Sequence, residues 1–150
     1  MYVTTQFSIF MVNRPGLLAR VLRKFAEAKL NMVAMTMMDS VEHGVLRVIF
    51  EDPDKARTLL AEENMQYNEN EVLCVQLDNK AGALSVVAEK LAENHLNISY
   101  AYCTAGGKGG KTTGVMKVAD VQKAMKLLEA VTKKQSKAKR VTRRSKSASA

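Results

Sequence analysis

A segment of nineteen residues recurs 66 residues further along the chain, and this internal repeat constrains the fold more than any other feature. The first copy, residues 13–31, reads NRPGLLARVLRKFAEAKLN, and the second, residues 79–97, reads NKAGALSVVAEKLAENHLN. The asparagines at both ends, the glycine and several apolar residues align without a gap. Because each half of a 150-residue chain has little core of its own, the repeat predicts two similar units that pack against each other.

Hydrophobic periodicity predicts a βαββαβ order in the first half. Phe7, Ile9 and Met11 alternate with Gln6 and Ser8, which is typical of a strand with one covered face. The expected elements are a strand over residues 2–12, a helix with Pro15 at its first position that ends near Lys29, strands over 31–39 and 44–51, a helix over 53–63 and a brief strand over 66–68. This order indicates an α+β fold built from ferredoxin-like units.

The second half predicts the same order but lacks a clear final strand. The expected elements are a strand over residues 72–78, a helix over the second copy, a strand from Ile98, a glycine-rich loop, a strand over 113–118 and a helix through Leu128. No apolar strand follows Ala130, so the first strand of this unit would have an unpaired edge unless another segment covers it. Such an edge favours a homodimer. We assign residues 1–69 to the first unit, 70–131 to the second and 132–150 to a disordered basic tail.

The net charge of +8 belongs to the tail. Residues 1–130 have fifteen basic and fifteen acidic residues, whereas residues 131–150 have eight basic residues and no acidic one. The tail either serves solubility or makes salt-sensitive contacts with nucleic acid, an acidic protein or anionic lipid, and nucleic acid is expected only there. The sequence has no membrane span and no secretory signal pattern, so we expect a cytoplasmic protein.

Two tandem βαββαβ units, each with Asn-x-x-Gly after its first strand and an asparagine before its second, resemble paired ACT domains. The likeness covers about residues 1–130 and lies mainly in the segments FSIFMVNRPG, DPDKA and NISYAY. Small stand-alone proteins with tandem ACT domains have the nearest organisation. The resemblance implies a non-enzymatic regulatory protein that binds an amino acid or a similar ligand at an interface between ACT domains. The expected partner is a second copy of the chain, as the strand edge suggests, or a metabolic enzyme, and no cofactor is expected.

The residue types at the repeated turn also suit a small zwitterionic ligand. Glycine lets a ligand approach the backbone, and the unpaired N–H groups of a helix start suit a carboxylate. Asparagine offers a donor and an acceptor. The predicted binding residues are Asn13, Pro15, Gly16, Leu17, Leu18 and Asn31 in the first copy, and Asn79, Gly82, Ala83, Leu84 and Asn97 in the second. We expect Asn13 to meet Asn97 of the other unit, and Asn79 to meet Asn31.

The same residues have a purely structural interpretation, because asparagine and glycine are common in strand-to-helix turns. Some amino-acid-binding ACT domains resemble a His-x-Asn-x-Pro-Gly pattern, whereas Met11 and Leu77 stand at the histidine position here. This departure disfavours a polar ligand, and Met11, Met32 and Met35 would offer an adaptable wall to an apolar side chain. The second functional hypothesis is a subunit or adaptor without a ligand, similar to the regulatory ACT part of an acetolactate synthase.

The glycine-rich run AGGKGGKTT, residues 105–113, superficially resembles a phosphate-binding loop. It has Ala105 where that motif requires glycine, and a strand rather than a helix is expected after it. We therefore predict a hairpin loop, in which Lys108 and Lys111 would attract an anion.

Other functions have little support in the sequence. RNA-binding domains of this topology use stacking aromatics on the third strand, where this chain has Val45 and Arg47. Neither histidine has a local arrangement for catalysis or metal binding. Cys74 and Cys103 lie in apolar runs and are expected to be buried free thiols.

Overall fold

The computed structural model describes residues 1–39, 43–104 and 110–129, so the predicted tail and Lys108 lie outside the described residues. The elements in chain order are β1 (Tyr2–Val12), α1 (Leu17–Glu27), β2 (Met32–Asp39), β3 (His43–Phe50), α2 (Pro53–Glu62), β4 (Tyr67–Asp78), α3 (Ala83–Glu93), β5 (Ile98–Cys103) and β6 (Lys111–Val118). Residues 121–129 form a further helix, α4. The α+β class and the tandem ferredoxin-like order are confirmed.

The six strands form a single antiparallel sheet in the order β2-β3-β1-β4-β6-β5. β1 and β4 pair at its centre, where Thr5 lies directly opposite Glu71. These two residues are 66 positions apart, the offset of the repeat. An approximate two-fold axis therefore passes between them and relates the two units.

β4 is one continuous strand where the sequence predicted two, over residues 66–68 and 72–78. Its residues 67–74 pair with β1 and its residues 73–78 pair with β6. Within the first of these segments the polar run from Asn68 to Glu71 is mostly exposed, so it has no apolar alternation to reveal a strand. The proposed unit boundary at residues 69 and 70 falls inside a strand that both units share.

β1 takes the place of the final strand that the second unit lacks among the described residues. Residues 2–9 of β1 pair with β4, and its residues 7–12 pair with β3. β4 consequently has a neighbour on both sides, and the unpaired edge considered for it is covered. A homodimer cannot form through that edge, and β2 and β5 are the edges of the described sheet.

All four helices lie on one face of the sheet. In the first unit, Phe50 lies with its ring centroid 5.8 Å from that of Phe7 and 5.0 Å from that of Phe25 on α1. In the second unit, Leu91 of α3 packs with Met116 of β6 in a separate cluster of buried residues. Two cores thus lie side by side under one sheet, each covered by its own pair of helices.

Local signals set the helix starts. Asp52 caps α2, because its Oδ1 accepts a hydrogen bond from the N–H of Lys55 at 3.0 Å, and Pro53 is the first helical residue as predicted. The prediction that Pro15 begins α1 is wrong, since α1 begins two residues later. Gly16, with a φ of 81°, is left-handed and separates Pro15 from the helix.

The helix-free face is covered at its centre, contrary to the prediction that β1 has one covered face. Gln6 is 0% exposed and Ser8 is 7% exposed. The sheet curls toward this face, where a third apolar cluster contains Ala34, Ile49, Val72, Cys74 and Val115. The predicted burial of Cys74 is confirmed, but that of Cys103 is wrong, because Cys103 is exposed on the edge strand β5.

We predict that Phe7→Ala lowers the free energy of unfolding by about 3–5 kcal/mol, the cost of removing a large aromatic side chain from a packed core. Phe7 is fully buried, with the rings of Phe50 and Tyr67 at 5.8 and 5.6 Å between centroids. Because β1 belongs to both units, urea unfolding followed by circular dichroism should remain one transition. Val12→Ala, at an exposed site of β1, is the control. If the first unit unfolded at a lower urea concentration than the second, the result would contradict a strand that both units share.

Candidate functional site

The two repeated turns have the same backbone conformation. Gly16 and Gly82 precede α1 and α3 with φ values of 81° and 83°. These values lie in the left-handed region, which strains any residue with a Cβ atom. A Cβ atom at Gly16 would meet nothing within 4 Å. Backbone conformation rather than crowding therefore requires glycine at this position.

Each helix start offers free N–H donors. No side chain caps α1 or α3, and neither first turn has an acidic residue. The N–H of Leu17 donates to the carbonyl of Arg14 at 3.3 Å, and that of Ala83 donates to the carbonyl of Lys80 at 3.3 Å. In the described part of the chain, the next two N–H groups of each helix have no protein acceptor. Together with the positive end of the helix dipole, they suit a carboxylate.

The two turns differ in their supporting contacts. Lys80 Nζ lies 3.8 Å from Asp78 Oδ2, and the hydroxyl of Ser85 donates to the carbonyl of the turn glycine at 2.9 Å. Val12 and Ala19 occupy the positions of Asp78 and Ser85 in the first copy, so neither contact can form there. The first turn therefore has fewer side-chain contacts than the second.

The four predicted asparagines are all exposed. Asn13 and Asn79 lie in the turns, and the N–H of Asn79 donates to the carbonyl of Gly110 at 3.1 Å, so the end of the glycine-rich loop contacts the second turn. Asn31 and Asn97 directly precede β2 and β5. The asparagines of each copy therefore lie at opposite ends of one helix.

Asn31 and Asn97 line two recesses at equivalent positions of the repeat. The first recess, of about 410 Å³, lies between the end of α1 and the start of β2, and the second, of about 450 Å³, lies between α3 and β5. The first is lined by Leu22, Phe25, Ala26, Lys29, Leu30, Asn31 and Met32, and the second by Ala88, Ala92, His95, Leu96, Asn97 and Ile98. The helix residues among these were not identified from the sequence, although the shared offset of the repeat could have indicated them.

Within one chain, the structure does not bring Asn13 to Asn97. Ile98, at the start of β5, pairs with Val118. Val118 follows Met116, the partner of Leu73, by two residues, so it lies at the level of Glu71, which pairs with Thr5. The start of β5 therefore lies near the level of Thr5 along the strands. Asn13 follows Thr5 by eight residues, or about 26 Å along the strand at roughly 3.3 Å per residue. A site that combines a turn with a second-strand asparagine therefore needs another chain.

Phosphate-loop chemistry does not fit the glycine-rich run. Lys111 is exposed and begins strand β6, whereas the phosphate-binding motif requires a helix after its lysine. In residues 1–39, 43–104 and 110–129, no group of three or more His, Cys, Asp and Glu side chains could hold a metal ion. No helix of the same residues is long and apolar enough to cross a membrane.

The repeated turn, the fold and the order of strands agree with a comparison against known families. The model of the ACT domain pair matches residues 1–138. The chain belongs to the ACT domain pair family. The resemblance inferred from the repeat is thereby confirmed over both units.

Several solved structures are similar to this ACT pair. A protein from Bacteroides thetaiotaomicron is 28% identical, with a TM-score of 0.80 over 87% of this chain and 89% of that one. The ligand-free regulatory subunit of aspartate kinase from Thermus thermophilus is 12% identical, with a TM-score of 0.63 over 89% and 97%. The corresponding subunit from Thermus flavus is 14% identical, with a TM-score of 0.58 over 88% and 94%. At these identities the two regulatory subunits show the shared fold alone. No curated protein matches the chain.

We predict that Gly16→Ala and Gly82→Ala each lower the free energy of unfolding by about 1–2 kcal/mol, because alanine is strained in the left-handed region. Urea denaturation measures the change. Gly16→Asn is the control and should cost less, since asparagine tolerates this conformation better. If alanine proved as stable as glycine at both sites, the left-handed start of the helices would be refuted.

Proposed function

We propose that this ACT pair is a non-enzymatic regulatory protein that binds a small carboxylate ligand, an amino acid with an apolar side chain. The observation that carries the proposal is the same left-handed glycine turn, with uncapped N–H donors, at both copies of the repeat. A structural turn alone does not require both helix starts to lack a capping side chain. The regulatory subunits of aspartate kinase, with the same fold, are consistent with this role.

We propose further that the protein is a homodimer joined through β2. On this edge strand, Met32, Val33, Met35 and Met38 are each at least 36% exposed. No charged residue stands between Met32 and Met38 to discourage pairing. An antiparallel β2–β2 pair across a two-fold axis gives a closed dimer, whereas pairing β2 of one chain with β5 of the next would give an open-ended assembly of chains.

This arrangement would complete a site between two chains. The end of β2 lies beside Gly44, which pairs with Met11 close to the first turn. Antiparallel pairing would place the start of β2 in one chain near the end of β2 in the other. The carboxylate would then bind at the Gly16 turn of one chain, and the side chain would enter the recess beside Asn31 of the other.

A second candidate function is that of a ligand-free subunit or adaptor that contacts a metabolic enzyme. The apolar edge of β2 supports it, since such an edge can pair with another protein as well as with a copy of itself. We place either form in the cytoplasm. Contact of the basic tail with nucleic acid stays a prediction, because the tail lies outside the described residues.

Thermal denaturation in the presence of each standard amino acid tests the ligand proposal. A ligand at a hundred times its Kd adds about 2.7 kcal/mol to the free energy of unfolding and raises Tm. We expect the variant with both Asn13→Ala and Asn79→Ala to lose this rise, measured against the variant's own ligand-free Tm. Asn68→Ala, at an exposed site of β4, is the control. If no amino acid raises Tm, the adaptor becomes the better hypothesis.

Sedimentation analysis of Met35→Lys tests the dimer. A lysine in the middle of β2 should convert the dimer to a monomer, because its charge would be buried in the strand pair. Ala101→Lys is the matched control, since Ala101 is the exposed equivalent of Met35 on β5 and should leave the dimer intact. A monomeric wild-type protein, or equal effects of both lysines, would refute pairing through β2.

A further inference from the structure

Gln6 is a fully buried polar side chain at the centre of the helix-free face. A buried amide is costly unless both its donor and its acceptor are paired. Gln6 Nε2 donates to the hydroxyl oxygen of Tyr100 at 2.6 Å, and Gln6 Oε1 accepts from the hydroxyl of Tyr102 at 2.9 Å. Both tyrosines lie on β5, more than ninety residues away in the sequence. One amide therefore ties the central strand to an edge of the sheet.

These contacts span several strands. In a flat sheet with strands about 4.8 Å apart, β5 would lie about 14 Å from β1 and about 19 Å from β3. The guanidinium carbon of Arg47 on β3 nevertheless lies 4.0 Å from the centroid of the Tyr100 ring, a cation–π contact. Arg47 Nη1 also donates to the sulfur of Met38 on β2. The sheet must curl to bring these side chains together, and Arg47 then contacts both edge strands.

The first unit has no equivalent of this arrangement. Ala34 and Thr36 stand at the positions of Tyr100 and Tyr102 in the repeat, and Val72 stands at the position of Gln6. None of these three side chains could reproduce the paired amide. Among the described residues, β5 but not β2 is tied to the central strand β1 by a buried side-chain amide.

We propose that Gln6, Tyr100 and Tyr102 form a latch that holds β5 against the helix-free face and fixes the curl of the sheet. When the latch opens, β5 and β6 move away from β1, while the β1–β4 ladder stays paired. β1 leads into the first turn, and β5 begins directly after Asn97. Opening therefore moves the recess beside Asn97 relative to the first turn. This regulatory consequence rests on the proposed function, whereas the latch itself depends on the fold alone.

The contact of Tyr102 with Gln6 does not respond to pH near neutrality. Burial raises the pKa of the Tyr102 hydroxyl above its ordinary value, and the neighbouring Cys74 and Tyr100 raise that pKa further. The hydroxyl therefore stays protonated and remains a donor to Gln6. A change in packing, such as that caused by a ligand or a partner, must open the latch instead.

Hydrogen exchange of the full chain without ligand tests the latch. In the variant with both Tyr100→Phe and Tyr102→Phe, we expect the amides of β5 to exchange about tenfold faster than in the wild type, with β3 unchanged, because local opening sets the exchange rate. Tyr67→Phe is the matched control, since the hydroxyl of this half-buried tyrosine has no hydrogen-bond partner among the described residues. Equal β5 exchange in the double variant and the control would overturn the proposal.

A thermodynamic cycle provides a second test that does not depend on exchange. Gln6→Leu, Tyr102→Phe and the combined variant are compared by their urea midpoints. Each single change leaves a buried polar group unpaired, so the combined loss should be smaller than the sum of the single losses. Additive losses would refute the pairing. If both tests support the latch but no amino acid raises Tm, the latch stands and the ligand proposal fails.

Discussion

The pairing of β1 with β4 is the constraint on which the rest of the structure depends. Each strand is long enough to serve its own unit with one half and the other unit with the other half, so neither unit has a complete sheet without its neighbour. Thr5 and Glu71, equivalent in the repeat, face each other across this ladder. Two units that would each be marginal alone gain a common sheet and two adjoining cores. The second unit needs no final strand of its own, because β1 pairs with β4 at the position that this strand would occupy.

The two halves keep the same backbone but have diverged in the side chains that fill the curled face. Val33 and Ser99 interrupt the register at equivalent points of β2 and β5, and left-handed residues end α1 and α3 at equivalent points. The two copies therefore share the backbone bulges and left-handed residues that set the path of the chain. In contrast, β5 has two tyrosines that reach Gln6, whereas β2 has none. One edge is bound to the centre of the sheet, and the other keeps an exposed apolar surface.

The sequence predicted the features that depend on local pattern. The helices, the turns that contain Gly16 and Gly82 and the capped start at Asp52 all follow from residues close to one another in the chain, whereas the left-handed conformation of the two glycines was not predicted. The continuous β4 was not predictable in this way, because its polar first half is a strand only by virtue of pairing with β1. The burial of Gln6 depends on tyrosines more than ninety residues away, so alternation alone assigned it to an exposed face. At the candidate site, the turn residues were predictable, but the recesses form only after each helix packs beside its edge strand.

The openness of the candidate site has a consequence for regulation. The turns offer backbone donors without a capping side chain, and the recesses lie at the outer edges of the sheet. Such a half-site cannot by itself enclose a small ligand, so affinity must come from a second surface that closes over it. If that surface is another chain, ligand binding and association reinforce each other by the same free energy, in whichever order they occur. The ligand would then stabilise one packing of the chains relative to another, which is the property that a regulatory module needs.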